Sequence, residues 1–382
     1  MADPRPRLLL VTRNFPPLWG GMERLNWQMA AELMKFDDVR LVAPAGAERS
    51  APDGLPVREV PLRPLGRFLA HACWAACAEA LRWRPRLVLA GSGLTAPIAW
   101  LAARLSGACA AVYLHGLDVA VGHPVYRALW LPALRRMQVV VANSHATALL
   151  AEAAGIGAGR IRVVHPGVEM PAFDSGARQR FRKAHGLSEQ ARVLLSVGRL
   201  TQRKGLQEFV REVLPAVVEA EPATVLVVVG DAPTDSLHAR VQSPRDIEAQ
   251  ARGAGLEGRV LFIGKRFGAE LADAYFGADL HVFPVRELAG DPEGFGMVAV
   301  EAAAHGLWTV AYATGGVVDA VGQDRSGDLV APGDAAGFAS AVVDALRRQA
   351  GFDAVREFAR GFAWENFGCT LLRALQVEGD PR

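Results

Sequence analysis

The sequence has little cysteine and no long apolar segment. Only four of its 382 residues are cysteine, and Cys73 and Cys77, one helical turn apart, have only His71 nearby as a further metal ligand. A zinc centre needs more convergent ligands, so we expect free, buried thiols and no metal. No apolar run approaches the roughly 18 residues of a membrane-spanning helix, and the N-terminus has no signal-peptide pattern. We therefore expect a cytoplasmic protein.

Several catalytic signatures are also absent. The chain has no Asp-x-Asp pair, no Gly-x-Ser-x-Gly, no Walker loop and no His-Glu-x-x-His. Clustered carboxylates usually hold a metal that bridges a diphosphate, so diphosphate chemistry here is expected to need no metal ion. The loop Phe15–Gly21, which enters the first predicted helix, is not a Gly-x-Gly-x-x-Gly fingerprint. A nicotinamide enzyme is therefore the least favoured interpretation.

The charge of the chain is unevenly distributed. Residues 1–186 hold 23 Lys and Arg against 13 Asp and Glu, or +10, and the remaining residues hold 19 against 27, or −8. A basic half followed by an acidic half indicates that the two halves meet different partners. Hydrophobic residues make up 51% of the chain, which is enough for two packed cores.

Strand-like apolar runs alternate with helical stretches, and the alternation breaks once. The break contains the turn-forming His165-Pro166-Gly167 and the polar Ser188–Ala191. Two tandem α/β domains with parallel sheets are predicted, leaving a cleft at the carboxyl ends of their strands. The predicted strands are Arg7–Val11, Val39–Ala43, Val57–Val60, Leu87–Ala90, Ala110–Leu114, Val139–Ala142, Ile161–Val164, Val193–Val197, Val225–Val229, Val260–Ile263, Leu280–Phe283, Thr309–Ala311 and Asp328–Val330.

The stretch Glu293–Glu301 carries two carboxylates at the point where a predicted strand is followed by a predicted helix. Gly294 and Gly296 would allow a ligand close to the backbone, and the helix N-terminus would attract a phosphate or a sugar oxygen. Glu293 on the loop can accept hydrogen bonds from sugar hydroxyls, and Glu301 can do the same for a ribose. The same pattern also fits an ordinary helix start with a solvated glutamate.

Three other loops carry chemistry at the ends of predicted strands. Arg199 and Lys204 follow the strand Val193–Val197, and two cations there suit a diphosphate. His115 follows a strand and can hydrogen-bond a sugar hydroxyl, or can be a buried structural histidine. Amides of the loop that ends in Gly20–Gly21 can cradle a phosphate.

These stretches occur in the order found in a known family. The chain resembles the family 4 retaining glycosyltransferases over nearly its whole length, and most of all the bacterial mannosyltransferases of the phosphatidylinositol mannoside type. The stretches that carry the resemblance are Gly20–Gly21, His115-Gly116, Val141-Ala142-Asn143-Ser144, Val164-His165-Pro166-Gly167-Val168, Gly198-Arg199-Leu200 with Lys204-Gly205, Glu293-Gly294-Phe295-Gly296 with Glu301, Thr314-Gly315-Gly316 and Phe362-Ala363-Trp364.

The resemblance implies a GT-B fold, in which two Rossmann-like domains face each other across a cleft. It implies an acceptor-binding domain at 1–186, a nucleotide-sugar-binding domain at 187–362 and a C-terminal helix at 363–382 that returns to the first domain. Roles follow for single residues: Arg199 and Lys204 bind the diphosphate, Glu293 binds the sugar 3- and 4-hydroxyls, and His115 binds the 6-hydroxyl. The further residues implied in donor binding are Gly20, Gly21, Gly198, Gly264, Lys265, Arg266, Gly294, Phe295, Gly296, Met297, Val298 and Glu301.

The implied reaction is metal-independent hexosyl transfer with retention, without a cofactor, from a nucleotide-diphosphate sugar to a glycan, lipid-linked or polyprenyl-linked acceptor in cell-envelope synthesis. A GDP-mannose-like donor is slightly favoured and a UDP-sugar stays open. Two departures from the family, Thr12-Arg13-Asn14 and Gly230-Asp231-Ala232, bear on acceptor and base identity. A small soluble acceptor, a GT-B epimerase or phosphorylase, and an inactive ligand-binding relative remain alternatives.

One basic helical segment in the first half also carries aromatic residues. Arginines and aromatic side chains at this spacing suit an anionic membrane surface, and a solvated helix whose aromatics face the core is the alternative. No nucleic-acid-binding motif accompanies the charge. We therefore expect peripheral association with the inner face of a membrane. The residues are Arg63, Arg67, Phe68, Trp74, Arg82, Trp83, Arg84 and Arg86.

Overall fold

The structure is a computed structural model that describes residues 5–18, 20–232, 241–348 and 351–376. Its chain divides into two compact units. The first contains Met1–Gly167 together with Trp364–Arg382, and the second contains Val168–Ala363. The chain enters the second unit at Val168 and leaves it after Ala363. These two points are neighbours, since the Val168 amide donates to the Phe362 carbonyl at 2.7 Å.

The first unit is built on a parallel seven-stranded sheet with the order β3-β2-β1-β4-β5-β6-β7. Its central strands are apolar at every position because helices cover the sheet. The strands are β1 Arg7–Val11, β2 Asp38–Pro44, β3 Val57–Val60, β4 Leu87–Ala90, β5 Cys109–Leu114, β6 Val139–Ala142 and β7 Ile161–Val163.

The second unit repeats this plan with a parallel six-stranded sheet in the order β10-β9-β8-β11-β12-β13. Counted from its own first strand, this is the 3-2-1-4-5-6 order of doubly wound nucleotide-binding sheets. The strands are β8 Arg192–Val197, β9 Thr224–Val229, β10 Val260–Gly264, β11 Leu280–Phe283, β12 Thr309–Tyr312 and β13 Gly327–Val330.

Helices connect the strands in both units. The last of them belongs to the first unit and packs on its first helix. The helices are α1 Gly21–Met34, α2 Leu65–Trp83, α3 Ala96–Ser106, α4 Leu117–Ala120, α5 Pro124–Leu134, α6 His145–Ala153, α7 Ala177–Ala184, α8 Leu206–Glu208, α9 Leu214–Ala220, α10 Pro244–Gly253, α11 Gly268–Gly277, α12 Met297–Ala304, α13 Val317–Ala320, α14 Ala335–Arg347, α15 Phe352–Arg360 and α16 Trp364–Ala374.

The sequence predicts one helix from Lys204 to Glu219, but the structure breaks it. A π-helical turn, Phe209–Val213, separates α8 from α9. Pro215 lies in the first turn of α9, where its missing N–H breaks no helical hydrogen bond. The π-turn therefore lets the helix restart at a position that proline tolerates.

Along the sequence, the second unit begins at Val168, which is earlier than the expected boundary after Gly186. The reason is α7, for which the sequence predicts no helix. It packs against α11 of the second unit, where the fully buried Arg182 bonds Asp279 at 2.8 Å. A helix held by a buried arginine has a polar sequence, so apolar periodicity does not reveal it.

Among the described residues, no helix is long and apolar enough to cross a membrane. All four cysteines are free, as expected. Cys73, Cys77 and Cys109 are half-buried, whereas Cys369 is exposed, so the expectation of a buried thiol is wrong there.

Candidate functional site

The second unit has a candidate ligand-binding edge where its strand order reverses. β8 and β11 are neighbours at this switch point, and the chain leaves them in opposite directions across the sheet. Doubly wound sheets bind ligands outside the carboxyl ends of such strands. Residues 198–205 follow β8 and residues 284–296 follow β11, so the predicted donor-binding side chains start here.

Gly205 brings these two loops together. Its φ of +68° lies in the left-handed region. A Cβ at this position would collide with the Pro284 carbonyl oxygen. Only glycine therefore allows the loop after β8 to lie against the loop after β11, which places Arg203 and Lys204 beside Glu293.

Glu293 is held by two cations. Both the Arg203 guanidinium and the Lys204 ammonium donate to its Oε2, the latter at 2.8 Å. Burial alone would raise the pKa of Glu293, but the adjacent positive charges of Arg203, Lys204 and Arg199 outweigh it and lower the pKa to about 2. Glu293 is therefore an anion at every physiological pH.

Lys204 is a largely buried cation in a mixed environment, with 14% of its side chain exposed. Its Nζ lies 4.6 Å from the centre of the Phe283 ring. Burial lowers the pKa of Lys204 to about 8, with Glu293 opposing and Arg203 adding to the shift. The buried His281 on β11 stays neutral beside it, because burial and the Lys204 charge lower the pKa of His281 to about 3.

Arg199 is the exposed cation of this group. It makes no hydrogen bond or ion pair with any residue that the structure describes. It nevertheless lies close enough for its charge to act on both Lys204 and Glu293. An unpaired guanidinium beside a buried lysine provides two positive charges for an incoming anion.

A second glycine loop supports the Glu293 backbone. The Gly316 amide donates to the Glu293 carbonyl at 2.9 Å, and a Cβ on Gly316 would collide with the Gly294 carbonyl. The backbone of Thr314-Gly315-Gly316 therefore packs directly against the backbone of Glu293–Gly294. Gly296, with φ of +94°, precedes α12, whose first residues Met297 and Val298 are half-buried. Phe295 is buried in the core.

Glu301 lies on α12, as predicted, but it is buried rather than solvated. The Tyr275 hydroxyl donates to its Oε2 at 2.9 Å. Tyr275 also stacks on His305, with ring centroids 4.8 Å apart. Tyr275 therefore fixes the orientation of the carboxylate that the resemblance assigns to a ribose.

The remaining predicted donor residues of this unit lie at the ends of β8 and β10. The Gly198 amide donates to the Val229 carbonyl at 2.9 Å, and a Cβ at Gly198 would lie 3.5 Å from Cε of Lys204. Gly264 ends β10 with a φ of +70°. Lys265 is exposed, and half-buried Arg266 donates to its carbonyl at 3.0 Å.

In the first unit, His115 follows β5 at the corresponding edge of its sheet. Its Nε2 lies 2.9 Å from the Gly91 carbonyl oxygen. A carbonyl only accepts, so Nε2 carries the proton and Nδ1 is left as an acceptor in the neutral ring. Asp118 fixes the loop by accepting from the amides of His115 at 2.7 Å and Gly93 at 3.0 Å.

Gly20 and Gly21 are exposed and lie at the N-terminus of α1. The positive end of the helix dipole is therefore directed at this loop. Glu23 reaches back over Gly20, where a Cβ would meet its carboxylate, and Asn14 holds that carboxylate at 2.8 Å. A carboxylate of the chain itself thus lies where the sequence predicts a phosphate. Trp19 of this loop lies outside the described residues.

The structure brings Arg199, Lys204 and Glu293 together at one edge of the second sheet. Sequence reasoning missed Arg203, although it stands next to Lys204 in the Arg-Lys-Gly run. It also missed Asp291, which lies 3.2 Å from Arg203 Nε. A motif shows that cations are present, but not which carboxylate each one contacts.

Comparison with known proteins identifies both units. Residues 19–170 match the family model described as Glycosyltransferase Family 4, and residues 191–348 match the one described as Glycosyl transferases group 1. Together the two models cover most of the chain, one for each predicted sheet.

The curated relatives are longer proteins. The chain is 35% identical over 219 residues to a D-inositol 3-phosphate glycosyltransferase of Mycobacterium ulcerans, an alignment that covers 56% of this chain and 44% of that protein. It is 36% identical over 218 residues to D-inositol 3-phosphate glycosyltransferase 2 of Catenulispora acidiphila, covering 55% and 49%. The matched segment therefore spans about half the length of these relatives.

Solved structures share the architecture over the whole chain. Anabaena Alr3699/HepE, solved in complex with UDP, superposes with a TM-score of 0.78 at 21% identity, covering 97% of this chain and 99% of that one. At this identity the likeness concerns the fold. The predicted α/β class and GT-B type are thereby confirmed.

Proposed function

The chain belongs to the family 4 glycosyltransferases, and we propose that it transfers a hexose from a nucleotide-diphosphate sugar to a glycan or glycolipid acceptor with retention of anomeric configuration. The observation that carries the proposal is the cluster at the switch point of the second unit. There an unpaired, exposed Arg199 lies near the largely buried Lys204, and Lys204 bonds Glu293. Two cations for a diphosphate and one carboxylate for sugar hydroxyls match the two ends of such a donor.

The cluster explains how the nucleoside diphosphate can leave the sugar. Arg199 and Lys204 stabilise the charge that develops on the diphosphate as the bond between the anomeric carbon and the phosphate oxygen breaks. The acceptor hydroxyl attacks from the face that the phosphate leaves, and the departing phosphate oxygen takes the acceptor proton. No enzyme nucleophile is required. In the first unit, His115 would contact the sugar, and the Gly20–Gly21 loop would contact the phosphate after displacement of the Glu23 carboxylate.

Two donors are supported by different observations. The loops that resemble mannosyltransferases favour GDP-mannose or a similar GDP-sugar. The UDP bound to the Anabaena protein favours a UDP-sugar. In both cases Glu301, oriented by Tyr275, would accept hydrogen bonds from the ribose hydroxyls of the donor. The backbone at Gly264–Arg266 would contact the base.

A lipid-linked or polyprenyl-linked acceptor is supported by the surface of the first unit. Residues 61–151 contain nine arginines and only two carboxylates, Glu79 and Asp118. Both carboxylates are used internally, Glu79 by Arg40 and Arg82 and Asp118 by backbone amides. We propose that this basic surface associates with the inner face of an anionic membrane in cell-envelope synthesis.

A small soluble acceptor is the second candidate, and the relatives give it specific support. The curated relatives are named for D-inositol 3-phosphate, a compact phosphorylated cyclitol. The basic character of the first unit would suit a phosphorylated acceptor as well as a membrane surface.

The test is a transfer assay in the presence of chelator, with UDP-glucose or GDP-mannose as donor and either D-inositol 3-phosphate or an anionic glycolipid as acceptor. We expect release of the nucleoside diphosphate and a product whose NMR coupling constant shows the donor's anomeric configuration. A product of inverted configuration would refute the proposed mechanism. Transfer to inositol phosphate alone would select the soluble acceptor.

A further inference from the structure

Arg203 contacts the predicted sugar-binding loop at two points. Its Nη1 donates to Glu293 Oε2, and its Nε lies 3.2 Å from Asp291 Oδ1. The Arg203 side chain is only 11% exposed, so the guanidinium is fixed against the loop rather than directed at solvent. Nothing in the sequence motif assigns a role to this residue.

The two cations share a single oxygen of Glu293. Arg203 and Lys204 both bond Oε2, whereas Oε1 accepts no hydrogen bond from the residues that the structure describes. Oε1 is also not among the buried polar atoms without a partner, and the side chain keeps 11% exposure. One oxygen is therefore held by protein and the other remains available to a ligand hydroxyl.

The two cations are not equivalent. Lys204 is expected to bond the donor diphosphate, and its ammonium cannot remain fully committed to Glu293 when it does so. Arg203 is already paired with Asp291 and Glu293 and has no such alternative. If the largely buried Glu293 lost both cations, desolvation would drive it towards its neutral form.

We propose that Arg203 is a positioning residue, which holds Glu293 in place through Oε2 while Lys204 moves to the diphosphate and Oε1 binds the sugar. The proposal rests on the proposed function for its account of the ligand, but the contact between Arg203 and Glu293 can be tested without any donor. The charged groups that face Glu293 are Arg203, Lys204 and Arg199, with Asp291 paired to Arg203 and neutral His281 beside Lys204.

The first experiment uses the ligand-free full chain with 13C-labelled glutamate. The Glu293 carboxyl signal, assigned with E293Q, is followed by NMR between about pH 5 and pH 8. In K204Q we expect no titration, because Arg203 still holds the anion. In R203Q/K204Q we expect the signal to titrate, since burial is then opposed only by the more distant Arg199. Identical titration curves in the two variants would overturn the proposal.

The second experiment remains decisive if the double variant does not fold. The single variant R203Q is compared with R203K, with wild type and with R211Q. R211Q removes an exposed arginine whose side chain, among the described residues, bonds only Glu212. We expect kcat for UDP-glucose or GDP-mannose transfer to fall about tenfold to a hundredfold in R203Q, as expected for a lost charge-assisted hydrogen bond. Affinity for UDP and GDP should change less than threefold, and R203K should recover part of the rate.

An unchanged kcat in R203Q would contradict the positioning role. Equal losses of kcat and of nucleotide affinity would also contradict it, because they indicate a general structural defect. If wild type binds no nucleotide and transfers nothing, the proposed function fails. The NMR comparison then still decides whether Arg203 holds Glu293.

Discussion

At the scale of single residues, Lys204 combines a proposed role in diphosphate binding with an unusual acidity. Burial lowers the pKa of its ammonium to about 8, so part of it is neutral in mildly alkaline solution. A diphosphate binds the protonated form. Above about pH 8 the free protein must therefore take up a proton when it binds a nucleoside diphosphate.

We predict that the Kd for UDP or GDP is constant near neutral pH and rises above about pH 8, by up to tenfold per pH unit. Isothermal titration calorimetry between about pH 7 and pH 9.5 measures this slope. Lys204→Arg keeps its proton throughout and should abolish the slope while retaining binding. The same alkaline slope in Lys204→Arg would show that another group is responsible.

Glu293 should act on the sugar and not on the nucleotide. Glu293→Gln keeps the shape of the side chain but removes its charge, so we predict a kcat about tenfold to a hundredfold lower with nearly unchanged nucleotide affinity. Steady-state kinetics and calorimetry together separate the two quantities. Glu301→Gln is the matched control and should show the reverse pattern. Weakened nucleotide binding in Glu293→Gln would contradict this division of roles.

The sequence predicts which residues belong to the candidate site better than it predicts which of them contact each other. The sequence places Arg199, Lys204 and Glu293 at the ends of strands, and the structure brings them to one edge of the sheet. The partnership of Arg203 with Glu293 could not be predicted, because it depends on how closely the Gly205 turn approaches Pro284. The Tyr275–Glu301 bond joins α11 and α12 across the intervening strand β11, so local patterns in the sequence do not reveal it.

At the scale of elements, helices α2, α3 and α5 of the first unit form one layer, which we call the helical layer. α2 packs on α3, and α3 packs on α5. Their outer surface exposes Trp74, which is 64% accessible, and Leu129, which is 61% accessible. Exposed apolar groups among arginines, without free carboxylates, suit an anionic lipid surface.

We predict reversible, salt-sensitive binding to vesicles that contain phosphatidylglycerol, and little binding to neutral vesicles. Charge reversal of one exposed arginine on each helix, R67E/R104E/R127E, should abolish binding, since each contributes about 1 kcal/mol near such a surface. Arg82 is left unchanged because it pairs with Glu79. Vesicle co-sedimentation measures the effect.

The control variant carries the same change of charge in the second unit. R192E/R245E/R252E replaces three exposed arginines there and should leave vesicle binding intact. If both triple variants bind equally, or if wild type ignores anionic vesicles at low salt, the helical layer does not dock on a membrane.

Element positions could be predicted well from apolar periodicity, whereas their exposed faces could not. All thirteen predicted strands are present, with bounds that differ by one residue at most. The basic, aromatic helix was predicted correctly as α2, but Phe68 and Trp83 face the core and only Trp74 is exposed. Arginine and tryptophan at helical spacing do not show which tryptophan is outside.

At the scale of the whole molecule, two sheets that share the order of their first six strands carry different chemistry. The second has the cationic cluster beside its switch point, and the first has His115 and a basic helical layer. The alternation of strands and helices predicted this doubling. The predicted boundary at Gly186 lies after α7, because α7, with its buried Arg182, is polar in sequence but belongs to the second unit.

The central claim is that Arg199 and Lys204 form the diphosphate site, and nucleotide binding tests it most directly. Melting temperature is measured for wild type and for R199A/K204A with GDP, UDP and ADP. For wild type, a nucleotide at about 100 times its Kd should add roughly 2.7 kcal/mol of stability and raise the melting temperature. In R199A/K204A that shift should disappear while the unliganded protein still unfolds cooperatively. An equal shift in both proteins, or none with any nucleotide in wild type, would contradict the account.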